Sequence, residues 1–332
     1  MFRSCKTVPF LVVVALLVSL AVPTMAAPKL VLKLGTIRAE DDPTTLAANR
    51  FAELVKSKSG GSIEVKVYPN SQLGGINDMF AGMKVGLVDM MYEGLSSYPW
   101  VKGAEDFNII AVPFLWKSYD HMKKALATPT FQKLFENAAE KSGVRVIVAN
   151  GEAEARQLTT KNRPVKTPAD FKGLKIRIAE SAMVRKAMQA LGANPIVIPF
   201  SELYMALRQG VAEAQENGFL TIKNQSLYEV QKYLIPTYYI RDVKAWYIGD
   251  AKWKSLSAEQ QKILREAAEE AGDYMTAMTR KQLDETLAFL KTKMTVVEPD
   301  LDAIRKVVTP AFEDEDGKMW PRGLLKFVRD LD

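Results

Sequence analysis

Leu30, Leu32 and Leu34 alternate with Val31 and Lys33 before Gly35, which is the period of a strand. Residues 43–57 space Leu46, Phe51, Leu54 and Val55 along one face of a helix, and Gly60-Gly61 breaks it. Ile63, Val65 and Val67 then alternate with Glu64 and Lys66 as a second, half-buried strand. Strand, helix and strand in succession predict α/β layers. A short helix over 78–84 ends at Gly86 and leads into Leu87-Val88-Asp89. A counterpart over 202–209 ends at Gly210 and leads into Val211-Ala212-Glu213. Glycine takes the left-handed conformation past a helix end without strain. One such unit in each half predicts two similar lobes facing each other.

Between these units, 144–149 is an apolar run, a buried strand leading to a crossing at Asn150-Gly151. Residues 167–173 read as a short helix with Thr167 as N-cap and Pro168 at its first position. A strand over 174–178 follows, then a helix over 181–191 closed by Gly192, then a strand over 195–200, with Ser201 capping the next helix. From 257 to 293 there is no proline and one glycine, Gly272, while apolar residues recur at helical spacing. A helix of that length, about 50 Å, exceeds one small lobe and should run across both. Gly272 is a candidate bend.

Of the 332 residues 48% are hydrophobic and 25% charged, so the chain can bury a large core and is long enough for two domains. The N-terminus alters the compartment. Arg3 and Lys6 precede an apolar stretch from Phe10 to Val22, broken only by Ser19, and Thr24-Met25-Ala26 is a small-x-small cleavage site. The stretch falls short of a bilayer core of about 30 Å. Residues 1–26 are therefore expected to be a signal peptide removed on export to the periplasm, with an uncleaved anchor as the alternative. Its removal takes the single cysteine, Cys5, leaving core packing to stabilise an exported chain without disulfides. Net charge is +6, with both signs mixed along the chain, so no basic stripe points to nucleic acid.

The candidate chemistry is sparse. His121 is the one histidine and reads as a surface residue at a helix start, so no metal is expected. The acidic run Glu313-Asp314-Glu315-Asp316 lacks the alternating ligands of a calcium loop and reads as a solvated stretch. Ser71-Gln72-Leu73-Gly74-Gly75 lacks the lysine of a phosphate loop, and no dinucleotide fingerprint is present, so no cofactor is expected. That loop is either a tight turn or the lining of a cleft. Arg177 is more informative. Period-2 alternation puts Leu174, Ile176 and Ile178 on one face of a strand and Arg177 on the other. An arginine so placed is either solvated or aimed at an acid, since its planar fork of donors matches a carboxylate. Arg156 raises the same question. Tyr92, Phe200, Phe219, Trp246 and Tyr247 lie at strand ends or beside breaks and serve either core or pocket. Trp116 and Trp253 read as packing residues.

Several blocks, in order, carry a resemblance. They are Tyr68-Pro69-Asn70-Ser71-Gln72-Leu73-Gly74, Arg156-Gln157-Leu158-Thr159-Thr160, Asp170-Phe171-Lys172-Gly173-Leu174-Lys175-Ile176-Arg177, Pro199-Phe200-Ser201-Glu202-Leu203-Tyr204, Gln215-Glu216-Asn217 and Tyr228-Glu229-Val230-Gln231-Lys232. Together they resemble the extracytoplasmic solute-binding subunits of tripartite ATP-independent periplasmic (TRAP) transporters, the DctP-like group, over nearly all of the mature chain. The resemblance implies an α/β, two-lobe periplasmic-binding-protein fold with hinge strands and a long spanning helix. The lobes are expected over 27–153 plus 243–282 and over 154–242 plus 283–332, with hinges near 151–156 and 240–245. It implies that Arg177 binds the carboxylate of a small organic acid, with Arg156 and Asn217 as further polar contacts and Phe200 as a wall. Tyr92, Gly94, Trp246 and Phe219 are also expected to line the pocket.

Two departures from sialic-acid-binding members, Glu93-Gly94-Leu95 and the Phe219 that follows Asn217-Gly218, favour a smaller or more apolar acid than a sugar acid. The partners implied are TRAP membrane permease subunits, with a monomeric receptor. An alternative is a binding protein that feeds an ATP-driven importer or a sensor. A periplasmic enzyme would need an acid/base pair or a nucleophile that this composition scarcely supplies.

Overall fold

The first lobe forms on the alternation that opens the chain. In the computed structural model, which describes Met1 and residues 29–331, it comprises β1 (Leu30–Gly35), α1 (Pro43–Lys58), β2 (Ile63–Tyr68), α2 (Ile76–Val85), β3 (Met90–Gly94), α3 (Tyr119–Leu126), α4 (Pro129–Ser142) and β4 (Val144–Ala153). The segment expected to be a signal peptide lies, apart from Met1, outside the described residues. The chain then builds a second lobe from β5 (Gln157–Thr160), β6 (Lys175–Ile178), α5 (Ala182–Ala190), β7 (Asn194–Val197), α6 (Leu203–Gln209), β8 (Ala214–Asn217), α7 (Phe219–Asn224) and β9 (Tyr233–Ile235). It returns through β10 (Asp242–Gly249) and α8 (Asp250–Ser255) before α9 (Ala258–Lys293), β11 (Thr295–Val296), α10 (Leu301–Val308), α11 (Pro310–Glu313) and α12 (Leu324–Asp330).

Each lobe holds one sheet. The first has the order β2-β1-β3-β10-β4 and the second β11-β9-β5-β8-β6-β7. In the first, β1 runs parallel to β2 and β3, while β10 runs antiparallel between β3 and β4. In the second, β6 is parallel to both β7 and β8, and β5 is antiparallel to β8 and β9. Two short segments cross between the sheets, from β4 to β5 and from β9 to β10. They run side by side, with Arg156 N–H donating to Ile240 O at 2.9 Å and the Thr237 hydroxyl to Arg156 O at 3.0 Å.

The central strands β3 and β10 of the first sheet are buried on both faces. Met90, Tyr92, Trp246 and Ile248 pack with Phe51 of α1 and Leu264, Ala267 and Ala271 of α9. Met91 and Tyr247, one position out of phase, pack with Phe80, Tyr98 and Phe107 on the other side. With both faces covered, these two strands lose the alternation that β1 and β2 keep.

The third crossing is α9, 36 residues and about 54 Å long. Ser257 caps it, accepting from Gln260 N–H at 3.2 Å. Its N-terminal half packs in the first lobe's core through Ile263, Leu264, Ala267 and Met275, and Leu283, Leu287 and Leu290 reach the second lobe's core. Gly272 does not interrupt the helix. A Cβ there would lie 2.0 Å from Asn150 Oδ1, so the glycine permits β4 to approach α9 closely. Asn150 uses that approach, donating to Ala268 O at 3.2 Å and Glu269 O at 2.9 Å and accepting from Trp246 Nε1 at 3.1 Å.

Gly86 and Gly210 both sit at φ 77°, the left-handed cap expected of each repeated unit. Three local readings differ. The strand expected over 195–200 ends at Val197, and Phe200 opens a 3-10 turn ahead of α6, so Ser201 is not a cap. His121 is buried, not exposed. Its Nδ1 accepts from Lys117 N–H at 3.3 Å, which leaves Nε2 to donate to Val328 O of α12 at 3.1 Å. The acidic run is partly structural, since Asp316 accepts from Trp320 Nε1 at 3.0 Å and Gly323 N–H at 2.6 Å.

Candidate ligand-binding site

The two sheets face each other across a cavity of about 380 Å³. Its walls come from the first lobe (Arg38, Asp42, Thr44, Glu93, Gly94, and Asp242 and Lys244 of β10), from the β4–β5 crossing (Glu154, Arg156) and from the second lobe (Arg177, Phe200, Glu216, Asn217, Thr221). Three contacts close over it. Asn77 Nδ2 donates to Glu180 Oε2 at 2.5 Å, Arg38 Nη1 donates to Thr221 Oγ1 at 3.2 Å, and the Arg38 guanidinium lies 4.8 Å from the Phe200 ring centroid.

Arg177 is 2% exposed although it carries a full charge. Ile176 and Ile178 bury into the core, so the alternation of β6 turns Arg177 to the cavity. Its Nε donates to Ile198 O at 2.9 Å, which fixes the plane of the fork, and the two terminal nitrogens make no hydrogen bond within the described residues. No carboxylate of the described residues lies within ion-pair distance. Burial pushes its pKa down to about 10; Glu216 opposes the shift, and the neighbouring cations Arg156 and Arg38 add to it. The group stays charged at neutral pH, so the site holds an unpaired guanidinium.

Arg156 differs. Glu216 takes its Nε, and its Nη2 donates to Glu216 Oε1 at 2.8 Å and to Asn217 Oδ1 at 3.2 Å. Tyr239 OH donates to the same carboxylate at 2.8 Å. Burial alone would lower the Arg156 pKa, but Glu216 holds it above its ordinary value. Across the cavity Glu93 accepts from Lys244 Nζ at 3.1 Å and Thr36 Oγ1 at 2.8 Å, with Arg38 Nε at 3.6 Å. Burial would raise its pKa; Lys244, Arg38 and Thr36 together hold it down at about 2. Asp242 accepts from Ser96 Oγ at 2.6 Å, and a Cβ on Gly94 would lie 2.4 Å from its Oδ2, so that lining position has room for glycine alone.

Glu154 leaves the crossing strand and accepts from Leu220 and Thr221 N–H groups at 2.7 and 3.0 Å, with Gly218 supplying the space. Burial pushes its carboxyl up to about 7 against those two donors; Asp42 adds to the shift and Arg38 opposes it. The native state therefore binds more protons than the unfolded chain between the ordinary value of 4.5 and about 7, and this contribution to stability is lost as pH rises through that window. Glu154→Gln removes it. The melting temperature of the variant relative to wild type should become more positive between about pH 5.5 and about pH 8. Parallel pH profiles would show that the carboxyl titrates normally.

Of the residues expected at the site, Arg177, Arg156, Asn217, Phe200 and Gly94 come together on the cavity wall. Tyr92, Trp246 and Phe219 do not. Tyr92 and Trp246 are cross-strand partners stacked at 3.7 Å and fully buried, on the sheet face covered by α1 and α9. Phe219 packs with Ile222, one helical turn on, in the second lobe's core, while its neighbours Gly218, Leu220 and Thr221 meet the cavity. Sequence reasoning missed Arg38, Asp42, Glu154, Glu216, Asp242 and Lys244. Glu216 and Lys244 carried a usable signal, a charge among the mostly uncharged residues of segments that form buried strands. Among the described residues no group of three or more His, Cys, Asp or Glu side chains is placed to hold a metal ion, and no helix is long and apolar enough to cross a membrane.

Two α/β lobes, paired crossing strands, a spanning helix and a polar cavity between the sheets define a solute-binding protein. Residues 34–316 match the family described as bacterial extracellular solute-binding protein, family 7, the DctP family, and the chain belongs to it. That family consists of TRAP-type binding proteins, not enzymes. A solute-binding protein of Roseobacter denitrificans is 33% identical over 87% of this chain and 88% of its own. A crystal structure of that TRAP protein with bound L-galactonate superposes with a TM-score of 0.83 at 30% identity, covering 90% of this chain and 98% of that one. The 2,3-diketo-L-gulonate-binding periplasmic protein of Escherichia coli is 31% identical over 98% of this chain and 99% of its own. The C4-dicarboxylate-binding periplasmic protein of Rhodobacter capsulatus is 30% identical over 90% of each.

Proposed function

We propose that the chain is a periplasmic receptor that captures a small organic acid through an arginine–carboxylate clamp, closes over it and delivers it to a TRAP membrane permease. One observation carries the reading: Arg177 is a buried guanidinium with both terminal nitrogens unbonded, facing a cavity between the lobes. A buried charge without a partner is costly, and a carboxylate meeting both nitrogens satisfies charge and geometry together. Arg156 is committed to Glu216 and serves as the rigid neighbour of the clamp, with Asn217 beside it. Phe200, with Arg38 over its ring, walls the ligand from the mouth.

The lobes rotate about hinges near 151–156 and 240–245, and 27–153 plus 243–282 move against 154–242 plus 283–332. The bonded pair of crossing strands and the single helix reaching both cores support two lobes with hinges there. The exception to the boundary is α12 with its C-cap, which is bonded to His121 and Lys117 of the first lobe. Closure expels water from around the ion pair and strengthens it. Residues 1–26 direct export and are removed, and the mature protein acts as a monomer. Binding is tested by thermal shift. Carboxylic acids that fit raise the melting temperature by mass action, and their primary amides leave it unchanged. Equal shifts from acid and amide would overturn the clamp. Delivery is tested by uptake of that acid in cells lacking the protein, which should fall to the background of cells lacking the permease.

A further inference from the structure

The relatives bind different acids, so similarity does not choose among them; the charges on the cavity wall do. At the Arg177 end two cations, Arg177 and Arg156, face one buried acid, Glu216, while Glu180 at the exposed rim is taken by Asn77. That end can take one negative charge. On the first-lobe side two cations, Arg38 and Lys244, share Glu93; Asp42 and Asp242 stand near Lys244 without an ion pair of their own, and Glu154 is a further acid beside Asp42. A second carboxylate placed there meets an excess of negative charge.

Asp42 is the acid with room to act. It is 7% exposed and lines the cavity; Oδ1 accepts from Thr44 N–H at 2.8 Å as the cap of α1, and Oδ2 accepts from no group of the described residues. The Thr44 hydroxyl, on the same wall, also makes no hydrogen bond within the described residues. A free carboxylate oxygen and a free hydroxyl in an enclosed space suit a ligand O–H, and both are left unsatisfied by an alkyl chain.

Resting on the clamp proposed above, we infer that the ligand is a monocarboxylate with a hydroxylated body, and that Asp42 is the residue that rejects a second carboxylate. The acid end lies on Arg177, and hydroxyls along the body donate to Asp42. A dicarboxylate loses that donation and gains a repulsion, so one residue supplies both the attractive and the repulsive part of specificity. This departs from the expectation of a smaller or more apolar acid, which rested on Glu93-Gly94-Leu95 and on Phe219; Phe219 is turned away from the cavity, while Glu93 and Gly94 line it.

The test is calorimetric titration with L-galactonate, D-gluconate and D-erythronate against succinate and hexanoate. The tightest hydroxylated acid should bind wild type at least about tenfold more tightly than succinate or hexanoate. Asn and Ser cap helices as well as Asp does, so Asp42→Asn and Asp42→Ser keep α1. Each should shift the ratio of hydroxylated acid to succinate by about fivefold or more toward succinate. The inference falls if succinate or hexanoate binds wild type as tightly as the hydroxylated acids, or if both variants leave the ratio unchanged. If a dicarboxylate wins and Arg177→Ala abolishes its binding, the clamp stands and only this inference is lost. If no carboxylate binds at all, both are lost.

Discussion

Arg177→Ala is expected to weaken binding of the cognate acid by about 2–5 kcal/mol, from roughly thirtyfold to a few thousandfold in Kd, while the ligand-free protein stays folded and at least as stable as wild type. The two halves of this expectation come from one fact. The guanidinium is almost fully buried with Nε bonded to Ile198 O and no acceptor of the described residues on its terminal nitrogens, so burial disfavours its charge and Glu216 offsets that only in part. Removing it relieves that cost and leaves a ligand carboxylate with nothing to pair. Arg177→Lys should also lose most of the affinity, because an ammonium on a flexible stem cannot reproduce two parallel hydrogen bonds. Calorimetry and thermal melts of the same preparations check both halves. Loss of binding together with loss of fold would make Arg177 a structural residue instead.

Glu216→Ala should act in the opposite way, destabilising the protein by about 3–5 kcal/mol even without ligand. The Glu216 side chain is fully buried, and its carboxylate is the acceptor for Arg156 and for Tyr239 OH. Truncation leaves a cation and a phenol unpaired. The Arg156 side chain keeps 21% of its surface exposed, so water can reach it and the lower end of the range is expected. Combining Arg156→Met with Glu216→Leu should recover most of the loss, since replacing both partners of a buried pair by apolar groups is far milder than breaking it. Denaturant midpoints of the three variants measure this. If the double replacement is as unstable as Glu216→Ala, the pair is not the source of the effect.

These opposite outcomes for two neighbouring charges show where sequence reasoning ended. Alternation around Ile176 and Ile178 oriented Arg177 from local pattern alone, and the repeated helix–glycine unit placed the left-handed caps at Gly86 and Gly210. What made Arg156 and Arg177 different is a partner that the local pattern does not display. Glu216 meets Arg156 across 60 residues of sequence, and Arg38 meets Thr221 across 183. Tyr92 and Trp246 were misplaced for a related reason. A strand buried on both faces has no polar side to mark which aromatics point at the cleft, and only the cover provided by α1 and α9 decides it. Gly272 looked like a bend because glycine breaks helices in isolation; in place it is the gap through which Asn150 reaches α9.

The clamp is tested most directly by a crystal structure of the protein with the tightest acid found by titration. The expected result is a carboxylate lying in the plane of the Arg177 fork, each oxygen within hydrogen-bond reach of one terminal nitrogen, with both lobes in contact with the ligand. A carboxylate bound on Arg38 or Lys244, with Arg177 left facing water or a hydroxyl, would contradict it.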